Sequence, residues 1–191
     1  PNEYENNVNY NWYTNYIPKW CIHYTYAQIE KVKSEYISDY ERIMSKVNLN
    51  DAELQSWKNT ADNMYFPFSE EHGVFLQQDG FLDKELVKVS DLDKSQRPIN
   101  QKWSWDRILR SPYIKQADTL QGFYFFEDDF TKEQLERHFD FYEAFTVHES
   151  SLSPCVHSIQ AAVLDKMDMA YTFYLRTSRL DLDDYNKEVE E

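Results

Sequence analysis

Glycine is scarce, with three in 191 residues. A phosphate-cradling loop needs several, and tight hairpin turns favour it, so a Gly-rich nucleotide loop and a tight-turned β sandwich are both disfavoured. Cysteine is limited to Cys21 and Cys155, too few for a disulfide framework. Positive charge is short as well. Twenty Lys and Arg stand against 34 Asp and Glu, for a formal net charge of -14. That argues against a duplex nucleic-acid binder, which neutralises phosphates with cations. No stretch approaches the roughly 18 unbroken apolar residues of a membrane span. HExxH, GxSxG, Walker A and CxxC motifs are all missing. Cys155 and His157 stand two apart with no second pair at zinc spacing, so no metal site is expected. No signal peptide is visible, and the chain opens on Pro1-Asn2-Glu3 rather than Met.

What is present is aromatic and acidic. There are 15 Tyr, 12 Phe and 5 Trp, and the hydrophobic share of 41% excludes a disordered chain. Helical signals dominate. Asn50 caps a run in which Leu54, Trp57, Ala61 and Met64 recur at helical spacing. Thr131 to Gln134 is a capping box, followed by the stripe Leu135, Phe139, Tyr142 and Phe145. Ser111-Pro112 reads as a cap with Pro at the first helical position, followed by Ile114, Ala117, Leu120 and Tyr124. Ser153-Pro154 opens another helix, with Val156, Ile159 or Gln160, and Val163 inward. A break near Asp165 precedes Met167, Ala170, Tyr171 and Tyr174. Val8 to Lys33 has helical period but contains Pro18, so that helix kinks or begins nearby. Residues 65–102 hold two of the Gly and two of the Pro around Val74-Phe75-Leu76, and read as a long structured loop with a short strand pair. The pattern predicts an all-α fold of stacked helical hairpins, and no linker divides the chain, which favours one domain.

Four places put polar groups among aromatics and amides. Glu3 to Trp12 holds four Asn and two acids beside Tyr and Trp. One reading is a capped, solvated N-terminus; the other is a sugar site, where amides and acids bond hydroxyls and rings stack on pyranose faces. Lys115-Gln116 falls in the helix expected after Ser111, where both are also ordinary surface residues. Glu143 follows Phe141-Tyr142 at a helix end. Thr146 to Ser153 is a polar loop whose His148 reads first as a satisfied loop histidine. The acidic tail from Asp181 to Glu191 reads as solvated, since it lacks the turn Gly of a calcium loop.

Together these blocks resemble the family 65 glycoside phosphorylases. Pro1-Asn2-Glu3-Tyr4-Glu5-Asn6-Asn7-Val8-Asn9-Tyr10-Asn11-Trp12 is similar to the family's catalytic signature. Gln101 to Asp106 and Ser111 to Asp118 resemble its sugar-site helix, and Phe141-Tyr142-Glu143 with Val147 to Pro154 a third block. Among the family's activities, the maltose phosphorylases are the most alike. The departures are Tyr10, where Asn is usual, and Pro18.

The resemblance implies an (α/α)6 barrel, of which residues 1–191 would be a part. The N-terminal β sandwich, first barrel helices and C-terminal part would lie outside it. It implies inverting phosphorolysis of an α-glucosidic disaccharide, with maltose and phosphate giving β-glucose 1-phosphate and glucose. The alternatives are a relative acting on trehalose, kojibiose or nigerose, a hydrolase, or a non-catalytic sugar-binding helical module. By carry-over Glu3 is the general acid, Lys115 and Gln116 bond hydroxyls of the cleaved glucose, and Glu143 lies towards the sugar-accepting side. No cofactor is implied beyond phosphate as co-substrate, and no metal, nucleic acid or membrane partner. A cytoplasmic homodimer is implied for the complete enzyme, and 191 residues alone are expected to be inactive. Glu3 must be protonated to act, so burial with Glu5, Tyr4 and Trp12 around it is expected to raise its pKa.

Overall fold

The computed structural model describes residues 2–180 together with Leu182 and Asp183, so most of the acidic tail lies outside the described residues. The structure is mostly helical with one two-stranded sheet. The chain falls into two compact units, one of residues 14–66 and the other of residues 1–13 with 67–191. Among the described residues no helix is long and apolar enough to cross a membrane.

The smaller unit holds α1 (Trp12–Glu35) from Thr14 onward, α2 (Ile37–Val47) and α3 (Asp51–Asp62). α1 runs through Pro18, which supplies no N–H to the helical ladder. α2 ends on Asn48 in the left-handed region, φ 53°, which Asn tolerates better than most residues. α3 starts as the sequence predicts, with the Asn50 side chain accepting from Glu53 N at 3.0 Å. Leu54 and Ala61 are its buried residues, while Trp57 is half-buried.

The larger unit opens with β1 (Phe68–Ser69) and β2 (Val74–Phe75), antiparallel with Phe68 opposite Phe75. Gly73 sits at φ 64° in the connecting turn, a conformation that costs a side-chain-bearing residue. Six helices follow: α4 (Ile99–Lys102), α5 (Trp105–Leu109), α6 (Thr119–Phe125), α7 (Lys132–Glu143), α8 (Ser153–Val163) and α9 (Met167–Arg179). The Thr131 capping box forms as predicted. Phe139, Tyr142 and Phe145 enter one core with Val74, Leu76, Phe81, Ile114, Leu120 and Ala161. A second core joins Tyr4, Ile99, Ile108, Tyr113 and Val147. The strand pair expected within 65–102 is present, and the same stretch also forms α4 and three short 3-10 turns.

Three expectations are corrected. No helix begins at Ser111-Pro112; α6 starts at Thr119. Residues 112–114 are instead extended beside 145–147. Ile114 N donates to the Phe145 carbonyl and Val147 N to the Ile114 carbonyl, both at 2.9 Å. These bonds satisfy the backbone that a helix would have satisfied internally. In α8 the buried face is Val156, His157, Gln160 and Ala161, while Ile159 and Val163 are exposed. In α9 Ala170 and Phe173 are buried, and Met167, Tyr171 and Tyr174 are exposed.

Candidate active site

The first residues form a turn, closed by Glu5 N donating to the Asn2 carbonyl at 3.3 Å. Asn2 and Tyr4 are buried and Glu3 between them is exposed. Asn2 is the anchor. Its side-chain oxygen accepts from Tyr4 N at 3.1 Å and from Lys115 N at 3.0 Å, and its amide donates to the Tyr113 carbonyl at 3.3 Å. Its backbone N–H donates to Asp118 Oδ2 at 3.1 Å. One amide side chain therefore ties the Glu3 segment to the extended 113–115 segment. On the other side of Glu3, the Tyr4 hydroxyl donates to Glu149 Oε2 at 2.8 Å, and Glu149 Oε1 accepts from Ile99 N at 2.7 Å.

This scaffold brings two of the predicted residues together. Lys115 Nζ lies 2.6 Å from Glu3 Oε2, with 58% of the Glu3 side chain exposed. The pair faces water, as a substrate-binding surface requires, and is not a stability element. Gln116 follows Lys115 on the same extended segment and is half-buried. The environment expected around Glu3 is corrected. Glu5 pairs with Lys84, which also donates to the Ser111 carbonyl. Tyr4 turns into the second core. Trp12 is fully buried among Phe75, Phe123 and Phe130. Each of these neighbours is held by its own partners, so residues adjacent in sequence do not surround Glu3.

Two further carboxylates sit below this surface. Burial pushes the Asp118 carboxyl up, against the hydrogen bonds it accepts from Asn11 Nδ2 and Asn2 N. Burial likewise raises Glu5, against its pairing with Lys84. The sequence alone assigns no separate role to Asp118, Asn2 or Glu149, and places Tyr4 only as part of the surroundings of Glu3. A carboxylate between Ile114 and Leu120 was the available signal for Asp118.

Glu143 lies in a different cluster, at the last residue of α7. His148 Nε2 stands 3.2 and 3.1 Å from its two oxygens, and His157 Nδ1 stands 2.5 Å from Oε2. Burial alone would raise the Glu143 pKa; the donors from His148 and His157 outweigh it and hold the carboxyl at about 2. Burial lowers His148 to about 4. The sequence expectation of a satisfied His148 is met, since Ser153 Oγ lies 2.8 Å from its Nδ1. The ligand-capable atoms of Glu143, His148 and His157 all lie within 4.8 Å of one another, close enough to share a cation. Their spacing fits hydrogen bonding better. Ligands about 2.0–2.1 Å from a tetrahedral ion stand about 3.3 Å apart, and His157 Nδ1 is 2.5 Å from its carboxylate neighbour.

Residues 1–191 match the model of the glycosyl hydrolase family 65 central catalytic domain. The chain belongs to that family, and its all-α fold is part of the family's (α/α)6 barrel. It is 52% identical over 191 residues to a maltose phosphorylase of Bacillus subtilis, covering all of this chain and 24% of the relative. It is 40% identical over 191 residues to an α,α-trehalose phosphorylase of Thermoanaerobacter brockii, covering all of this chain and 25% of that one. A kojibiose phosphorylase of Halothermothrix orenii is 35% identical over 95% of this chain and 23% of its own. A solved structure named as a kojibiose phosphorylase, from the human microbiome, superposes with a TM-score of 0.85 at 35% identity, over 98% of this chain and 24% of that one. The chain therefore spans about a quarter of the length of these relatives.

Proposed function

We propose that these residues serve an inverting disaccharide phosphorylase that converts maltose and phosphate to β-glucose 1-phosphate and glucose. The observation that carries the reading is the 52% identity to a maltose phosphorylase across the whole chain. The site chemistry supports it. An inverting glycosidase needs two carboxyl groups, one to protonate the leaving oxygen and one to activate water. Phosphate is already an anion, so a single acid suffices. Glu3 gives its proton to the glycosidic oxygen as the C1–O bond breaks. A phosphate oxygen forms the new bond to C1 from the opposite face.

Lys115 Nζ, 2.6 Å from Glu3 Oε2, is placed to turn from the acid to a substrate hydroxyl. Lys115 and Gln116 then hold hydroxyls of the cleaved glucose, and Glu143 meets the accepting side. No cofactor takes part, phosphate being a co-substrate, and the enzyme works as a cytoplasmic homodimer.

The test is an assay of the complete gene product on maltose, trehalose, kojibiose and nigerose with and without phosphate. Phosphate-dependent formation of β-glucose 1-phosphate, fastest from maltose, is expected. Phosphate-independent glucose release would instead make it a hydrolase, and sugar binding without turnover a carbohydrate-binding module.

A further inference from the structure

Two buried imidazoles converge on one carboxylate at Glu143. His157 is fully buried and wedged against Phe139 and Phe173, with ring centroids 5.6 Å from each, and against the edge of His148 at 4.6 Å. It has little room to turn. His148 is 5% exposed and its backbone is left-handed, φ 54°. That conformation is costly for a residue with a side chain and persists where the surroundings fix it. The fixing contacts are a hydrogen bond from the Arg176 guanidinium to the His148 carbonyl and the Ser153 hydroxyl at the ring.

The hydrogen bonds also define the proton positions. A neutral imidazole has one N–H and one lone pair. If His148 Nδ1 carried the proton, the Nε2 lone pair would face the Glu143 carboxylate, which is repulsive. Ser153 therefore donates to Nδ1, and Nε2–H donates to Glu143. The carboxylate keeps 22% of its side chain exposed, so acceptor capacity remains for a ligand.

We infer that His148 and His157 are paired positioning residues that clamp the Glu143 carboxylate as a fixed, ionised acceptor for a hydroxyl of the accepting sugar, with Ser153 setting the tautomer of His148. This rests on the reading of Glu143 as a sugar contact. A carboxylate already ionised and aimed needs no reorganisation when the hydroxyl arrives. Among the described residues, His148 and His157 are the titratable groups that act on the Glu143 carboxyl, and the Arg176 guanidinium acts on His148. A neutral His148 and an anionic Glu143 match the burial and hydrogen bonding of that pair.

The test compares His157→Leu, which removes the imidazole 2.5 Å from Glu143 Oε2, with His157→Asn, whose amide nitrogen can stand where Nδ1 stands. Both are made in the complete gene product. Carboxyl NMR of labelled Glu143 is expected to show at least about tenfold tighter proton binding in His157→Leu, reversed in His157→Asn. In the synthetic direction, the KM for acceptor glucose is expected to rise about tenfold or more in His157→Leu while kcat changes less than about threefold. If His157→Leu does not fold, His148→Asn gives the same readouts, since Asn accepts the left-handed backbone. An unchanged Glu143 titration in a folded donor-less variant overturns the clamp. So does stoichiometric zinc retained by the wild type after dialysis, which would make the three residues a metal centre. If the wild type cleaves no disaccharide with phosphate, the functional reading fails, and the titration still decides the clamp.

Discussion

The Tyr4 hydroxyl donates a 2.8 Å hydrogen bond to Glu149 Oε2 across 145 residues of chain. It is the longest-range tie on the Glu3 segment, and it is buried. Glu149 has further partners in Ile99 N and Asn100 N, with Arg97 Nε 3.9 Å away. Tyr4→Phe keeps the packing and removes one donor from a buried carboxylate. Loss of about 1.5–3 kcal/mol of stability is expected, read from denaturant unfolding. An unchanged midpoint would show that the bond contributes nothing.

Gly122 is held by Trp12. A Cβ built at Gly122 collides with the Trp12 ring and lies 3.2 Å from Tyr13 Cδ2. Trp12 cannot yield easily, because it is fully buried among Phe75, Phe123 and Phe130. Gly122→Ala would add about 1 kcal/mol of helix propensity, but overpacking is expected to cost more, about 1–3 kcal/mol, for a net loss. Unfolding of the variant, with near-UV circular dichroism to follow the Trp environment, checks this.

His138 makes the fold sensitive to acid. Its Nε2 accepts from Phe75 N at 2.8 Å and its Nδ1 bonds the Gln134 carbonyl at 2.7 Å. A proton on Nε2 would break the first bond, and burial lowers the pKa from 6.5 to about 4. The folded state thus resists a proton that the unfolded chain takes. The contribution is full above pH 6.5 and is lost progressively as the pH falls from there to about 4. It amounts to about 3 kcal/mol at most. His138→Gln is expected to flatten the stability profile in that window, measured by unfolding at a series of pH values.

Tyr10 stands at φ 53°, half exposed, at a position where the family resemblance expects Asn. A left-handed backbone costs ordinary side-chain-bearing residues about 1–2 kcal/mol, and Asn less. Tyr10→Asn is expected to raise stability by about 0.5–1 kcal/mol, read as a higher thermal midpoint. A lower midpoint would mean that the Tyr10 ring contributes more than the backbone costs.

Much of the fold was legible in local signals. The caps at Asn50 and Thr131 set helix starts correctly, because a cap acts through a side chain and a backbone group three residues apart. Ser111-Pro112 misled for the opposite reason. The extended segment there is held by Phe145 and Val147, far away in sequence, and no local pattern reports them. The helix stripes were partly legible: Val156 and Phe139 are buried, but Met167 and Tyr171 are exposed. The site shows the same division. Glu3 and Lys115 could be named from motif resemblance, while their 2.6 Å contact, between segments distant in the chain, could not. The Asn2 hub and the two histidines on Glu143 depend on contacts between distant segments, so their roles could not be read from spacing.

The most direct test of the central claim is Glu3→Gln in the complete gene product. The substitution keeps the shape and removes the acidic proton. Phosphorolysis of maltose is expected to fall at least about 100-fold, since general acid catalysis is typically worth 10²–10⁴-fold. The folded state should be retained, because Glu3 is exposed. Turnover close to that of the wild type would contradict the account and remove Glu3 from the role of general acid.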